Sequence, residues 1–326
     1  MIKLICTLGP STLNKKSLKE LKNIGVNLFR LNLSHLSVTE LKKKIIFLKK
    51  NNIKNICIDT EGAQVRTTKV KSKVFLKKNY KINLSSKNKV SNKKNIFLYP
   101  TLDLKNIKIN TEIEIGFENL KVVVLRNNVQ SLFCKVTSPG YLESNKGVHF
   151  KQEIKLNYLT EKDIKAIEIG KREKVKYYAL SFANTENDVI NFKKLINKKN
   201  SFIISKVETL NALKNFSNIS KASNATLLDR GDLSRYIAVE KIPIIQLKLL
   251  KQSKKLNKPM YVATNLLESM VNKPSPTRAE SNDIFFTLFS GAKGLVLAAE
   301  TAIGKYPLAC ASFIKKCIKT FNEKNL

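Results

Sequence analysis

Eight short apolar runs recur along the chain, at residues 2–6, 27–31, 53–58, 176–180, 202–205, 225–228, 260–263 and 294–297. Most are continuous rather than alternating, the pattern of parallel strands buried on both faces. Helical patterns lie between them. Leu18, Leu21 and Ile24 share one face, and Gly25 stops that helix. Thr160 with Asp163 reads as an N-terminal cap ahead of Ile164 and Ile167. Pro243 suits the first turn of a helix carrying Ile244, Leu247 and Leu250. Leu308, Ala311, Ile314 and Ile318 form the stripe of a last helix. Eight strands alternating with helices fit an open doubly wound sheet or a closed barrel, and eight is the barrel number.

The rhythm breaks once. From about residue 67 to residue 153 the pattern changes to short alternating stretches, as at 80–84, 96–99, 112–115 and 120–125. This predicts a β-rich, β-barrel-like module, residues 67–153, inserted between the third and fourth barrel strands. The barrel itself is then expected over 1–66 and 154–326. Turn-rich stretches at 85–94 and 138–147 suit a mobile lid.

Charge adds a question. The 326 residues carry 60 Lys+Arg against 25 Asp+Glu, a formal net charge of +35. Such an excess favours phosphorylated ligands, nucleic acid or anionic membranes. The lysines are spread along the whole chain, however, as in Lys42-Lys43-Lys44 and Lys198-Lys199-Asn200. Dispersal of this kind reads as a solvated surface, and no aromatic residues interleave to make a stacking platform, so no specific nucleic acid is expected. Cys6, Cys57, Cys134, Cys310 and Cys317 form no C-x-x-C pair and are odd in number, which argues against a disulfide framework and a zinc site. No signal peptide and no membrane-length apolar run is apparent, so the expected location is the cytoplasm.

In a barrel of this kind the chemistry gathers just after the strands. Arg30, Asn32, Ser34 and His35 follow the second run, and Asp59, Thr60 and Arg66 the third. Lys206 and Glu208 follow the fifth, Arg230, Gly231 and Asp232 the sixth, Thr264 the seventh, and Glu300 with Thr301 the eighth. Hard carboxylate oxygens at Glu208 and Asp232 suit Mg²⁺ or Mn²⁺. A lysine and arginines near such an ion would neutralise phosphate charge in a transition state. The set points to phosphoryl transfer or enolate chemistry.

The same segments resemble the pyruvate kinase family. The resemblance is carried by Ile5-Cys6-Thr7-Leu8-Gly9-Pro10-Ser11, Arg30-Leu31-Asn32-Leu33-Ser34-His35, Asp59-Thr60-Glu61-Gly62, Ile204-Ser205-Lys206-Val207-Glu208 and Asp229-Arg230-Gly231-Asp232-Leu233. It continues through Ala263-Thr264-Asn265-Leu266-Leu267-Glu268-Ser269-Met270, Lys273-Pro274-Ser275-Pro276-Thr277-Arg278-Ala279-Glu280 and Ala299-Glu300-Thr301-Ala302-Ile303-Gly304. In the insert it fades, returning at Ser144-Asn145-Lys146-Gly147-Val148. The resemblance implies a (β/α)₈ barrel with an inserted β-rich lid, acting on phosphoenolpyruvate and ADP. It implies that Glu208 and Asp232 hold Mg²⁺, with Gly231 beside the substrate. Lys206 would stabilise the transferring phosphoryl group and the enolate oxygen, and Arg30 would bind the phosphoryl group. Thr264 would help relay a proton. Asn32, Ser34, Asp59 and Thr60 would form a K⁺ site, and Pro10, His35, Arg66 and Lys146 would contact the nucleotide. It leaves room for a homo-oligomer through barrel contacts.

Several residues have plainer readings. Lys206 and Glu208 could be a structural ion pair, and Arg30 could pair with Asp59. His149 reads as a turn histidine, and Thr277 with Glu280 as a capping box. The chain also departs from the family. Asp229 stands where a small residue is usual, and an extra carboxylate there would repel an anionic substrate unless it pairs with Arg230 or turns away. Ser234-Arg235-Tyr236 replaces Gly-Ile-Glu. Gln64 is neutral where K⁺-dependent members carry Glu and K⁺-independent ones Lys. The usual Asp-Asp-Gly turn of the insert is replaced around Phe117-Glu118-Asn119. The chain stops after the eighth barrel helix, so regulation through the family's C-terminal effector domain is not expected. Besides an active kinase, two further readings stand: a paralogue acting on another enolpyruvyl or phosphorylated compound, and a basic binding protein on a retired kinase fold.

Overall fold

The computed structural model describes residues 1–62, 64–87, 89–116, 120–152, 154, 156–197 and 199–323. Lys198, Glu153 at the expected module boundary, and the departing turn at Phe117, Glu118 and Asn119 lie outside the described residues. The chain divides into two compact units, Met1–Gly62 with Tyr158–Leu326, and Ala63–Asn157.

The first unit is a closed barrel of eight parallel strands. They are β1 (Lys3–Thr7), β2 (Leu28–Asn32), β3 (Ile56–Asp59), β4 (Tyr177–Leu180), β5 (Phe202–Val207), β6 (Ala225–Asp229), β7 (Met260–Ala263) and β8 (Gly294–Leu297). Each pairs with its neighbours in order, and Lys3 to Cys6 of β1 closes the ring against Gly294 to Leu297 of β8. Nearly every strand residue is buried, as continuous apolar runs require. The pleat sends alternate residues to opposite faces. Ile5, Leu28, Cys57, Ala179, Ile204, Leu227, Tyr261 and Val296 fill the barrel interior. The opposite row packs with the surrounding helices in one large apolar cluster.

The helices start and stop where the sequence indicates. Gly25 takes φ 90° and ends the helix Lys15–Ile24. Capping boxes at Ser37/Glu40, Thr160/Asp163, Thr185/Asp188 and Thr277/Glu280 open four others. Two helical faces differ from the expected ones. In Ile242–Lys255 the buried residues are Ile242, Gln246, Leu249, Leu250 and Ser253, while Ile244 is 56% exposed. Gln246 is buried because its Nε2 donates to Thr287 Oγ1 at 2.9 Å, so a polar residue occupies the core face and hides its phase in the sequence. In Glu161–Arg172 the buried face is Asp163, Ala166, Ile167 and Gly170, and Ile164 is exposed. In Pro307–Glu323 the stripe includes Cys310 and Cys317 beside Ala311, Ile314 and Ile318.

The second unit has a seven-stranded mixed sheet and a separate two-stranded one. Its longest strands, Leu120–Asn127 and Ser131–Ser138, alternate buried and part-exposed residues, the mark of a sheet with one face on a core. Gln64 and Arg66 lie in this unit. His149, expected in a turn, sits in the strand Val148–Phe150 opposite Glu114, because the chain after residue 147 re-enters the sheet. All five cysteines are free and buried. Among the described residues no helix is long and apolar enough to cross a membrane.

Candidate active site

Period-two geometry carries the interior rows up to the C-terminal mouth of the barrel. Two residues beyond inward Ile5, Leu28, Cys57, Ala179, Ile204 and Leu227 stand Thr7, Arg30, Asp59, Ser181, Lys206 and Asp229. One step further on β5 comes Glu208. The apolar layers below thus force a ring of ionic groups into one place.

Lys206 is its hub. The ammonium lies 2.6 Å from Glu208 Oε1, 3.6 Å from Asp229 Oδ2 and 3.8 Å from Asp59 Oδ1. It also donates to Ser181 Oγ at 3.2 Å. Arg30 is fixed beside it: Nε donates to Asp59 Oδ2 at 2.8 Å, Nη2 lies 2.6 Å from the same oxygen, and Nη1 donates to Thr7 Oγ1 at 3.0 Å. Lys206, Glu208, Arg30, Asp59 and Asp229 are all at most 5% exposed. Glu208 is anchored by the Phe182 N–H, which donates to Oε2 at 2.7 Å.

The electrostatics follow from crowding. Burial alone would lower the Lys206 ammonium, but Asp59, Glu208 and Asp229 together outweigh it and hold the group firmly protonated. Burial pushes the Glu208 carboxyl up to about 8; Lys206 pulls it the other way, and Asp232 and Asp229 add to the rise. The short Lys206 contact favours an ionised Glu208, yet several carboxylates share that one ammonium, so the upward direction holds. A divalent cation among them would reverse it.

Oxygens of Glu208, Asp229 and Asp232 lie within 4.8 Å of one another. This donor set is hard oxygen throughout and fits Mg²⁺ or Mn²⁺. Asp232 is half-buried and faces Arg235 at 3.4 Å, while its backbone N–H donates to Asp229 Oδ1 at 3.5 Å. The K⁺ candidates are partly gathered. Strand pairing sets Asn32 beside Asp59. Asn32 Oδ1 accepts from Ser34 N–H at 2.9 Å, and Thr60 is bonded to Ser181 through both its hydroxyl and its carbonyl.

Thr264 adopts φ 71°, a left-handed conformation that costs a β-branched residue roughly 1–3 kcal/mol. Its Oγ1 accepts from Gly231 N–H at 2.9 Å and donates to Ala263 O at 2.5 Å, which ties the ends of β6 and β7 together. Pro10 and His35 are exposed on the barrel unit, while Arg66 and Lys146 belong to the second unit. There Arg66 donates to Asn145 O at 3.0 Å and Lys146 pairs with Glu143 at 2.7 Å. After β8, Glu300 is held by the backbone: it accepts from the N–H groups of Leu267 and Ala298.

Thr7, Ser181 and Asp163 are not among the residues expected at the site. Thr7 ends β1 and Ser181 follows β4, the two strand ends that are not considered with the others. Asp229 is expected beside the substrate, paired with Arg230 or turned away; its place two residues after Leu227 instead holds it on the interior row. Asp163 was seen only as a cap. Its carboxylate also accepts from the Glu61 and Gly62 N–H groups at 2.7 and 3.1 Å and so holds the loop after β3. Gly62 sits there at φ 72°, where a Cβ would come within 2.7 Å of Ser181 Cβ.

A family model described as the pyruvate kinase barrel domain matches residues 1–311. The pyruvate kinase of Thermotoga maritima is 33% identical over 331 residues, 99% of this chain and 71% of that protein. Pyruvate kinase isozyme G, chloroplastic, of Nicotiana tabacum is 30% identical over 94% of this chain. The pyruvate kinase of Chlamydia muridarum is 29% identical over 97% of this chain and 68% of its own length. The chain spans only 56% of the tobacco protein.

Proposed function

The chain belongs to the pyruvate kinase family, and from that premise we propose that it transfers a phosphoryl group from phosphoenolpyruvate to ADP, giving pyruvate and ATP. The observation that carries the reading is Lys206. A buried ammonium, held charged by three carboxylates and set between Arg30 and the Glu208–Asp232 oxygens, has the character that phosphoryl transfer requires.

In this reading an oxygen of the ADP β-phosphate bonds to phosphorus as the phosphorus–enol oxygen bond breaks. The enolate then takes a proton at its terminal carbon. Arg30, fixed by Asp59 and Thr7, orients the phosphoryl oxygens. Lys206 offsets the charge that builds on the enol oxygen. Thr264 positions Gly231 through its hydroxyl and stands at the β7 end, where the proton is delivered. A divalent cation held by Glu208 and Asp232 would neutralise phosphate and carboxylate oxygens of the substrate. K⁺ beside Asn32, Ser34, Asp59 and Thr60 is the second ion implied. The nucleotide contacts assigned to Pro10 and His35 belong to the same reading.

The test is pyruvate formation from phosphoenolpyruvate and ADP with Mg²⁺, with and without K⁺, beside Lys206→Ala and Lys206→Arg. Removing the ammonium is expected to lower kcat by about 10²–10³ or more, the scale of losing one transition-state donor. Arginine keeps the charge but not the point geometry, so it should restore the fold and not the rate. Turnover in Lys206→Ala equal to wild type would end the assignment.

A second reading has its own observation. Asp229 faces the site, whereas Arg230 bonds to Asp283 and the Thr264 carbonyl. This favours a paralogue that takes a less anionic enolpyruvyl or phosphorylated compound. Strict use of phosphoenolpyruvate in a substrate panel would exclude it.

A further inference from the structure

We infer that Asp229 is a third carboxylate ligand of the divalent-cation centre, so that this chain holds its cation before any phosphorylated substrate arrives. The inference rests on the reading that Glu208 and Asp232 take that cation.

Two ways of silencing Asp229 are closed by the structure. It does not turn away: the alternation Ala225, Leu227, Asp229 along β6 keeps it on the interior row. It does not pair with Arg230, whose Nη1 is bonded to both Asp283 oxygens at 2.9 and 2.8 Å, with Nε and Nη2 on the Thr264 carbonyl. What remains for Asp229 Oδ2 is Lys206 at 3.6 Å, beyond hydrogen-bond length, and that ammonium lies closer to Glu208. Arg30 attracts Asp229 electrostatically, but its hydrogen bonds go to Asp59 and Thr7, and Asp229 Oδ1 takes only the long Asp232 N–H contact at 3.5 Å.

A second observation points at the same spot. Glu208 is fully buried, and its Oε1, although 2.6 Å from the Lys206 ammonium, lies outside hydrogen-bonding geometry. A buried carboxylate oxygen in that state gains from a cation on its remaining side. One carboxylate oxygen each of Glu208, Asp229 and Asp232 lies within 4.8 Å of the others. Three oxygens gathered within that separation need to draw in by only a few tenths of an ångström to meet one Mg²⁺ at its ligand distance of about 2.0–2.1 Å.

The consequence is a change in how the centre is completed. Mg²⁺ sites of one or two carboxylates rely on substrate oxygens to fill the shell. A third carboxylate supplies one of those oxygens from the protein. It tightens cation binding in the free protein and sets a negative charge against an incoming phosphate or carboxylate. Removing that charge should therefore weaken the cation and strengthen the anionic substrate, two opposite effects from one residue. A merely structural Asp229 would lower stability and move neither.

The experiment is a Mn²⁺ titration of the full chain without substrate, reading free Mn²⁺ by electron paramagnetic resonance. Wild type, Asp229→Asn, Asp229→Ala and Glu208→Gln are compared, with folding checked by circular dichroism and pyruvate formation assayed in parallel. Wild type is expected to bind Mn²⁺, the two Asp229 variants to bind it at least tenfold more weakly, and Glu208→Gln to lose it. The KM for phosphoenolpyruvate should fall in Asp229→Asn. Variants that titrate like wild type, or a wild type that forms pyruvate yet binds no Mn²⁺ without substrate, would overturn the inference. A wild type that binds Mn²⁺ but forms no pyruvate would instead count against the kinase reading and leave Asp229 as ligand.

Discussion

In the barrel, ionic side chains sit on the inward row of strands whose every face is buried; in the inserted unit they sit on the outer row of strands with one wet face. Lys206 and Glu208 meet at 2.6 Å with side chains 6% and 0% exposed. Lys121 and Glu112, on paired strands of the insert, meet at 3.8 Å with side chains 37% and 41% exposed. Both are lysine–glutamate pairs, one along a single segment at the end of β5 and one across two strands. Their energetics differ because water screens one and is excluded from the other. The barrel pair is costly to form and costly to break; the insert pair is nearly free in both directions. Among the described residues, the barrel mouth is where several buried ionic groups meet, and a strong local field resides there.

The sharpest way to break that contrast is the Lys206→Ala variant already required for the activity test. It leaves Glu208 and Asp229 facing each other without the ammonium they share. Loss of one partner from a buried ionic group costs roughly 3–5 kcal/mol. Chemical denaturation should show a loss of that size. A variant as stable as wild type would mean that the pair is far better solvated than its burial implies.

Next in size is Asp163→Ala. This fully buried carboxylate accepts from Thr160 N–H and Oγ1 on its own helix and from the Glu61 and Gly62 N–H groups. Its loss is expected to cost about 3 kcal/mol, since hydrogen bonds to a charged group contribute about 1.5–3 kcal/mol each and their partners stay buried. The loop after β3 should also loosen, raising amide exchange at Glu61 and Gly62 more than at the helix itself. Equal protection of that loop in the variant would show that Gly62 alone fixes it.

Asp163 also shows where reading the sequence stops. Its cap role was legible because Thr160 is three residues away and the pattern is local. Its loop role joins residues about a hundred positions apart, and no periodicity reports that. The barrel strands were legible for the opposite reason. Burial on both faces forces continuous apolar runs, so the eight runs and the eight strands coincide to within three residues at each end. The ring of Arg30, Asp59, Lys206, Glu208 and Asp232 was legible because strand ends converge in a barrel. Ser181 and the direction of Asp229 needed the pleat, which a strand with both faces buried does not display in its composition. Gln246 is hidden for a related reason: a polar side chain whose Nε2 bonds to Thr287 takes a core position that pattern reading assigns to solvent.

A milder probe is Thr277→Ala at the start of the helix Arg278–Phe289, expected to cost about 1 kcal/mol as caps generally do. Its partner Glu280 accepts from Thr277 and from Ser269. Burial tends to raise this carboxyl, but the Ser269 and Thr277 hydrogen bonds outweigh burial and hold it below its ordinary value. A depressed carboxyl stabilises above its unfolded value and loses that contribution as pH falls through the folded one. The penalty of Thr277→Ala should accordingly shrink in acid, below the ordinary glutamate range near pH 4. A penalty that is constant down to pH 2 would place the effect in the Glu280 N–H to Thr277 Oγ1 bond rather than in the bonds to the carboxylate.

The smallest effect is the one that tests the opening contrast from the other side. Lys121→Ala in the insert removes the cation of a solvent-screened pair and leaves Glu112 in water. Surface pairs of this kind contribute about 0–1 kcal/mol, and the truncation should change stability by less than about 0.5 kcal/mol. The comparison is informative because both pairs join a lysine to a glutamate, one shielded from water with further carboxylates around it and one screened by solvent. It also bears on the large positive charge. With 60 Lys+Arg against 25 Asp+Glu, most lysines have no acidic partner to lose, and removing one from the wet face of the insert relieves repulsion. A slight gain in stability at low salt, vanishing as salt is added, is the signature expected of a dispersed basic surface. A loss that persists in high salt would show instead that the Lys121 stem packs on the sheet, which would assign its role to apolar contact rather than to charge.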